Sequence, residues 1–390
     1  MHSDEGLKSV PFNRPYMNGK ELFNISTAYQ NRLLAGDGPF TKECQSILST
    51  RLGGLPVYLT QSGTAALELC LLSLNLNSTD EVIVPSFTFV SCANAVLIAG
   101  GTPVFADISE CTQNLSFDSV VRLINENTKA IIIVHYAGIC SELTEILYHA
   151  KSKGIIVIED AAHCLGSTLD GRELGTFGDF GCFSFHETKN ITCGEGGALV
   201  VRDIALVERI ETIREKGTDR SRFLRGEVDK YTWRSCGSSY LPSEVTAAFL
   251  RAQLDDIDVV TTWRANCWKL YHELFKELES ANFVRRPHIP DHVTINGHIY
   301  YLILPSLQVR HNVITSLKRL RIQTTFHYVP LHNSPFGMQF RHDKSGMKNS
   351  LDAGSRLVRL PMWFGLSDAA IELVANSMTL ILKSQRSVDG

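Results

Sequence analysis

Between residues 56 and 203 the chain alternates short, almost wholly apolar runs with helical stretches. The runs VYLT at 57–60, EVIVP at 81–85, TPVFAD at 102–107, AIIIV at 130–134, IIVI at 155–158, FGCFSF at 180–185 and ALVVR at 198–202 read as strands, with helices expected from Thr64 and from about Thr88. Strands this uniformly apolar are buried on both faces, as in a largely parallel sheet covered by helices. Pro242 and Ser243 mark the start of a long helical pattern running from Glu244 to about Lys276. Beyond it the pattern predicts a strand at 300–304, a helix around 313–320, a strand near 324–328 and a last helix from Ser367, with a polar loop at 334–350. The expected fold class is α/β, with a large domain over residues 1–250 and a smaller α+β domain over 251–390.

Bulk properties exclude several function classes. A formal charge of -3 and the lack of any Lys/Arg block leave no electrostatic footprint for nucleic acid. No run approaches the ~20 apolar residues that span a bilayer, and the N-terminus lacks the apolar core of an export signal. The ten cysteines (44, 70, 92, 111, 140, 164, 182, 193, 236 and 267) include no C-x-x-C pair and sit mostly in apolar segments. They read as reduced core thiols of a cytoplasmic protein, with neither a disulfide framework nor a metal site.

Candidate chemistry gathers where strands end. Lys189 follows the strand at 180–185, and Asp160 closes IIVIED at 155–160. A lysine can hold an aldehyde as a Schiff base, and an aspartate at a strand end can keep a pyridine nitrogen protonated, which together suggest pyridoxal phosphate. QSGTAAL at 61–67 opens a helix after the first strand, so the free amides of Gly63 and Thr64 and the positive helix end offer a phosphate site, to which the Ser184 hydroxyl could add. Phe89 lies just past another strand end and is a candidate to stack on a planar ring. His163, three residues beyond Asp160, is placed to hydrogen-bond a ring oxygen. GEGG at 194–197 lacks dinucleotide-fingerprint spacing and reads as a turn that lets backbone approach Lys189.

SGTAAL at 62–67, PSFTFVS at 85–91, EDAAH at 159–163, FSFHETKN at 183–190, GEGGA at 194–198 and HYVPLH at 327–332 together resemble the DegT/StrS-type nucleotide-sugar aminotransferases, over nearly the whole chain. The resemblance implies a fold-type I aminotransferase with an N-terminal arm, built as a homodimer whose active sites are shared between subunits. It makes Lys189 the Schiff-base and catalytic lysine, Asp160 the partner of the ring nitrogen and His163 a ring neighbour. It places Gly63, Thr64 and Ser184 around the phosphate and Phe89 over the ring. The family pattern Gly-x-Asn-Tyr-Arg appears here as Gly237-Ser-Ser239-Tyr240-Leu241, which leaves Ser239 as a phosphate contact from the partner chain and removes an arginine that would have anchored a donor carboxylate. Tyr328 and His332 become ligands for sugar or nucleotide. Segments 36–41, 184–189, 214–218, 228–234 and 237–241 are most similar to the branch that aminates C4 of a dTDP-4-keto-6-deoxyhexose from L-glutamate to give the galacto product. The gluco epimer and amination of a 3-keto sugar are the neighbouring alternatives. A sugar dehydratase would carry histidine in place of Lys189, and a regulatory protein that keeps the cofactor without turnover would be free to lose Lys189, Asp160 and Phe89.

Overall fold

The computed structural model of the protein describes residues 9–389, with side chains through Gln385. Its centre is a seven-stranded sheet. Strands β1 (Val57–Thr60), β2 (Glu81–Pro85), β3 (Thr102–Ala106), β4 (Thr128–Val134) and β5 (Ile156–Asp160) are followed by the short hairpin strands β6 (Thr168–Leu169) and β7 (Arg172–Glu173), then by β8 (Phe180–Ser184) and β9 (Gly197–Val201). The sheet order is β1-β9-β8-β5-β4-β2-β3; β3, β2, β4, β5 and β8 run parallel, and β9 is antiparallel to both its neighbours.

Strand alternation feeds two cores. Ile83, Ile131, Ile133 and Val157 pack on one face with Cys44, Leu48 and Ile146, whereas Val82, Val84, Ile132 and Ile158 pack on the other with Ala66, Cys70, Val96 and Ile210. Both faces are therefore covered by the helices α1 (Glu21–Gln30), α2 (Pro39–Arg51), α3 (Gly63–Leu72), α4 (Ser91–Ile98), α5 (Phe117–Leu123), α6 (Leu143–Ser152) and α7 (Val207–Arg214), while the short α8 (Arg220–Leu224) buries no residue. Each fully buried Ile or Val contributes about 1.5–3 kcal/mol, so the apolar runs define this layer before any polar contact is counted. The second of the expected helices begins at Ser91 rather than near Thr88, because residues 86–90 turn over the end of β2.

The long helical pattern from 244 to 276 divides into α9 (Glu244–Leu254), α10 (Ile257–Leu274) and α11 (Lys276–Ser280). The first break lies at Asp256, whose carboxylate accepts from the Tyr16 hydroxyl at 2.9 Å and from Asn18 Nδ2 at 2.9 Å. Residue 250 falls inside α9, whose Leu250 and Leu254 join the first sheet core. Ile257 and Val260 of α10 belong to that same core, while Cys267, Trp268 and Tyr271 belong to the C-terminal one, so α10 carries the chain between them.

The C-terminal part contains β10 (Val293–Thr294), which extends the β6–β7 hairpin, and β11 (Tyr301–Ile303) paired with β12 (Leu357–Arg359). Helices α12 (Leu307–Arg319), α13 (Lys348–Arg356) and α14 (Asp368–Asp389) complete it. The N-terminal arm crosses to this part: Val10 is buried in its core and pairs with Ile322. Residues 324–328, expected as a strand, form only a single bridge between Thr325 and Arg359. The polar segment 334–350 is held by buried carboxylates: Asp343 pairs with Arg122 Nη2 and accepts from Ser119 Oγ, both at 2.7 Å, and Asp107 accepts from Ser350 Oγ at 2.6 Å. No helix among the described residues is long and apolar enough to cross a membrane.

Candidate active site

The parallel strands β2, β5 and β8 deliver their carboxyl ends to one edge of the sheet, where open α/β folds place ligands. Asp160 is the last residue of β5, and its register partner on β8 is Cys182. Two residues beyond, Ser184 ends β8, and the loop to β9 then carries Lys189. Strand alternation sends the adjacent acids of β5 to opposite faces. Glu159 is fully buried and accepts from His135 Nε2 at 2.7 Å and from the backbone amides of Gly175 at 2.8 Å and of Phe177 and Gly178 at 2.6 Å each. Burial alone would raise its pKa, but these donors outweigh burial and hold it below the usual range. Asp160 faces the site: Oδ1 accepts from the Ala162 amide at 3.0 Å and Oδ2 from the Cys92 thiol at 3.1 Å.

Lys189 is half-buried in a cleft lined also by His163 and Ser184. Burial pulls its amine down to about 8; the Asp160 carboxylate opposes that pull, and the Arg359 guanidinium adds to it. An amine in that range is a competent nucleophile and base near neutral pH. His163 is kept neutral by burial and by the positive charge of Lys189. Its Nδ1 accepts from the Ala137 amide at 3.4 Å, which leaves the proton on Nε2. The ring lies 4.6 Å from that of His298.

The turn into α3 is built to be approached closely. Ser62 caps the helix, its Oγ accepting from the Ala65 amide at 3.0 Å, and its carbonyl accepts from the Ala66 amide at 3.2 Å. The amides of Gly63 and Thr64 precede those bonds at the positive helix end. A Cβ on Gly63 would stand 2.9 Å from the Ser184 Cβ, so the two phosphate candidates are in contact across the sheet edge. GEGG, expected to bring backbone close to Lys189, makes its tight approach elsewhere: a Cβ on Gly197, the first residue of β9, would come within 2.3 Å of the Ser62 carbonyl. The Thr64 hydroxyl shares a hydrogen bond of 2.7 Å with Ser91 Oγ, a contact with no sequence signal.

Phe89 is 58% exposed, so much of its ring is open to a ligand. Its ring lies 6.5 Å from Tyr328, which also meets Phe87 at 5.4 Å. His332 is turned toward the end of β2, with Nδ1 2.6 Å from Ser86 Oγ. Ser239 is exposed and bridged to Glu215.

Four residues at the site were not among the sequence candidates. His327 stacks on Tyr328 at 4.0 Å with ring planes 9° apart, an arrangement closed to neighbours in a regular strand, and burial drives its pKa far down. Its Nε2 meets Arg359 Nη1, and its Nδ1 lies 3.2 Å from the Tyr136 hydroxyl. Arg264 and His298 stand behind, with Arg264 Nη2 donating to the His298 carbonyl at 2.7 Å. The available signal was an arginine inside the apolar run LVRLP at 357–361.

These features fit pyridoxal phosphate on the chain's own terms. A glycine-lined helix start meets a serine, a buried aspartate stands behind the cleft, a lysine of lowered basicity points into it and an uncovered aromatic ring stands at its rim. A model of the DegT/DnrJ/EryC1/StrS aminotransferase family matches residues 15–379. The chain is 30% identical over 389 residues to dTDP-4-dehydro-2,3,6-trideoxy-D-glucose 4-aminotransferase of Saccharopolyspora spinosa, covering 97% of this chain and 99% of that protein. It is also 30% identical to GDP-perosamine synthase of Caulobacter vibrioides, covering 96% and 99% of the two chains. The crystal structure of the aminotransferase TlmJ from Streptoalloteichus hindustanus superposes with a TM-score of 0.87 at 26% identity, covering 97% of this chain and 100% of that one.

Proposed function

Since the chain belongs to the DegT/DnrJ/EryC1/StrS aminotransferase family and is a sugar aminotransferase that works with pyridoxal phosphate, we propose that it moves the amino group of L-glutamate to C4 of a dTDP-4-keto-6-deoxyhexose, giving dTDP-4-amino-4,6-dideoxygalactose. The observation that carries the chemistry is Lys189: an amine held near pKa 8 in a cleft backed by the Asp160 carboxylate. Support for the substrate comes from the loops at 36–41 and 228–241, where the resemblance extends past the cofactor contacts, and from the relative named for a dTDP-sugar 4-aminotransferase.

Lys189 would hold the cofactor aldehyde, Asp160 its ring nitrogen, His163 Nε2 its ring oxygen, and Gly63, Thr64 and Ser184 its phosphate, with Phe89 against the ring face. Bound there, pyridoxal phosphate carries the amino group and supplies a protonated ring that accepts the electron pair of a deprotonated carbon. Released by the donor amine, Lys189 Nζ takes the α-proton of glutamate in one half-reaction and delivers a proton to C4 of the sugar in the other. The Cys92 thiol and the Ala162 amide hold the Asp160 carboxylate in place. Tyr328 and His332 line the approach for the nucleotide-sugar.

A homodimer with shared sites accounts for two features of the isolated chain. Leu22, Phe23 and Tyr29 of α1, along with Tyr231 and Trp233, are more than half exposed, a larger apolar display than a soluble monomer usually carries. Ser239 is similarly exposed and therefore available to a partner's phosphate site. Glutamate and activated sugars are metabolites of the cytoplasm, where this reading places the enzyme. The test is incubation with glutamate and a panel of dTDP-, UDP- and GDP-linked 4-keto and 3-keto deoxysugars, with NMR of the products. Fastest turnover of the dTDP-4-keto sugar with a new C4 amine supports the reading. Faster turnover of a UDP- or GDP-linked sugar, or amination at C3, overturns it.

A further inference from the structure

We propose that Arg359, backed by Arg264, forms the anion pocket that anchors the α-carboxylate of the amino donor beside Lys189. Both arginines line one cleft with Phe12, Asn13, Thr188 and Leu360, and no carboxylate contributes to it. Arg264 is 3% exposed and donates through Nε to the Gly297 carbonyl at 3.2 Å and through Nη2 to the His298 carbonyl at 2.7 Å. Arg359 donates through Nη1 to His327, while its Nε is buried and has no partner among the described residues. Neither guanidinium forms an ion pair among the described residues, whereas Arg214, the other arginine as deeply buried as Arg264, pairs with Asp37 at 2.7 Å.

Burying a guanidinium without a counter-ion is costly, and a bound anion offsets that cost by pairing with the planar fork. Burial lowers the basicity of both groups, that of Arg264 to about 9, and the Arg359 charge lowers Arg264 further, as an uncompensated like charge does. Phe12 packs under the Arg359 guanidinium at 4.8 Å and fixes its plane, leaving its edge to the cleft. His327, neutral at the other edge, accepts a hydrogen bond without neutralising the charge.

The position selects the ligand. Thr188, on the cleft wall, immediately precedes Lys189, and the Arg359 charge acts directly on the Lys189 amine. A donor that replaces Lys189 on the cofactor brings its nitrogen to the place of Nζ. Its α-carboxylate is then one carbon away, within the compass of this cleft. The diphosphate of a nucleotide-sugar is separated from a C4 amine by the whole sugar ring and cannot occupy the same place while C4 reacts.

This inference rests on the aminotransferase reading, and the two half-reactions separate them. Enzyme loaded with pyridoxal phosphate is mixed with glutamate, and enzyme loaded with pyridoxamine phosphate is mixed with the ketosugar, each followed by visible absorbance. For Arg359→Gln, loss of a charge-assisted contact predicts about a 10- to 100-fold fall in kcat/KM for glutamate. The same variant should lose at least about 10-fold less in the ketosugar half-reaction, where no donor is present and only the altered basicity of Lys189 carries over. Arg359→Lys keeps the charge without the fork and should fall between. A ligand-side measurement needs no variant: 4-aminobutyrate, which lacks the α-carboxylate, should react at least about 10-fold more slowly than glutamate with the unaltered enzyme, and Arg359→Gln should shrink that preference. A variant that retains the full preference, or one that loses the ketosugar half-reaction instead, overturns the proposal. Failure of both half-reactions in the unaltered enzyme overturns the aminotransferase reading instead.

Discussion

Lys189→Met should make the cofactor-free protein more stable at pH 7. The Lys189 amine is displaced from 10.5 to about 8 chiefly by burial, after the attraction of Asp160 is included. At about 1.36 kcal/mol per tenfold change in acidity, holding the ammonium in the folded cleft costs about 3 kcal/mol relative to the neutral amine. Methionine fills similar space without that charge, so the gain is about 3 kcal/mol, the Asp160 attraction being already included in the shift. The sign follows from linkage. The folded pKa lies below the unfolded one, so between about pH 8 and 10.5 the unfolded chain binds more protons and the stability of the unaltered protein rises with pH. Its deficit against Lys189→Met is full below about pH 8 and closes toward pH 10.5. Urea unfolding of both cofactor-free proteins at pH 7 and pH 10 measures this directly. A variant no more stable at pH 7, or an advantage independent of pH, would refute a desolvated Lys189.

Three further outcomes follow from the same geometry. Asp160→Asn should fold normally and lower kcat by about 100-fold or more, because a neutral amide cannot stabilise a ring cation in a water-poor cleft; near-normal rates would mean another acid does the work. Glu159→Gln, which replaces one acceptor oxygen with an amide NH2 facing existing donors, should cost about 2–4 kcal/mol in urea unfolding while folded protein keeps its cofactor absorbance. Hybrid dimers of Lys189→Ala and Ser239→Glu chains should regain activity in mixing experiments, since one of their two sites would be intact; no regain would mean that each chain's site is self-contained.

The parallel sheet was legible because its strands are apolar on both faces, and Lys189, Asp160, Gly63 and Ser184 were legible because a strand end beside a helix start or loop is itself a local pattern. What failed to show was tertiary. The break after α9 is enforced by Tyr16 and Asn18, more than two hundred residues away in sequence, acting on Asp256. Residues 324–328 have strand-like composition, yet the stacking of His327 on Tyr328 and the pairing of His327 with Arg359 pull them out of register. Arg359 lies on a three-residue strand whose only partner in its sheet is β11, so neither periodicity nor local spacing marked it. For His332 the motif was visible, and the structure adds its anchor, Ser86 Oγ at 2.6 Å.

The most direct test of the central claim is a single reaction with [15N]glutamate, pyridoxal phosphate and dTDP-4-keto-6-deoxyglucose, followed by NMR of the isolated nucleotide-sugar. The account predicts 15N bonded to C4 in the galacto configuration, with no label transferred by Lys189→Ala. Label at C3, or at C4 with Lys189→Ala as active as the unaltered enzyme, would contradict it.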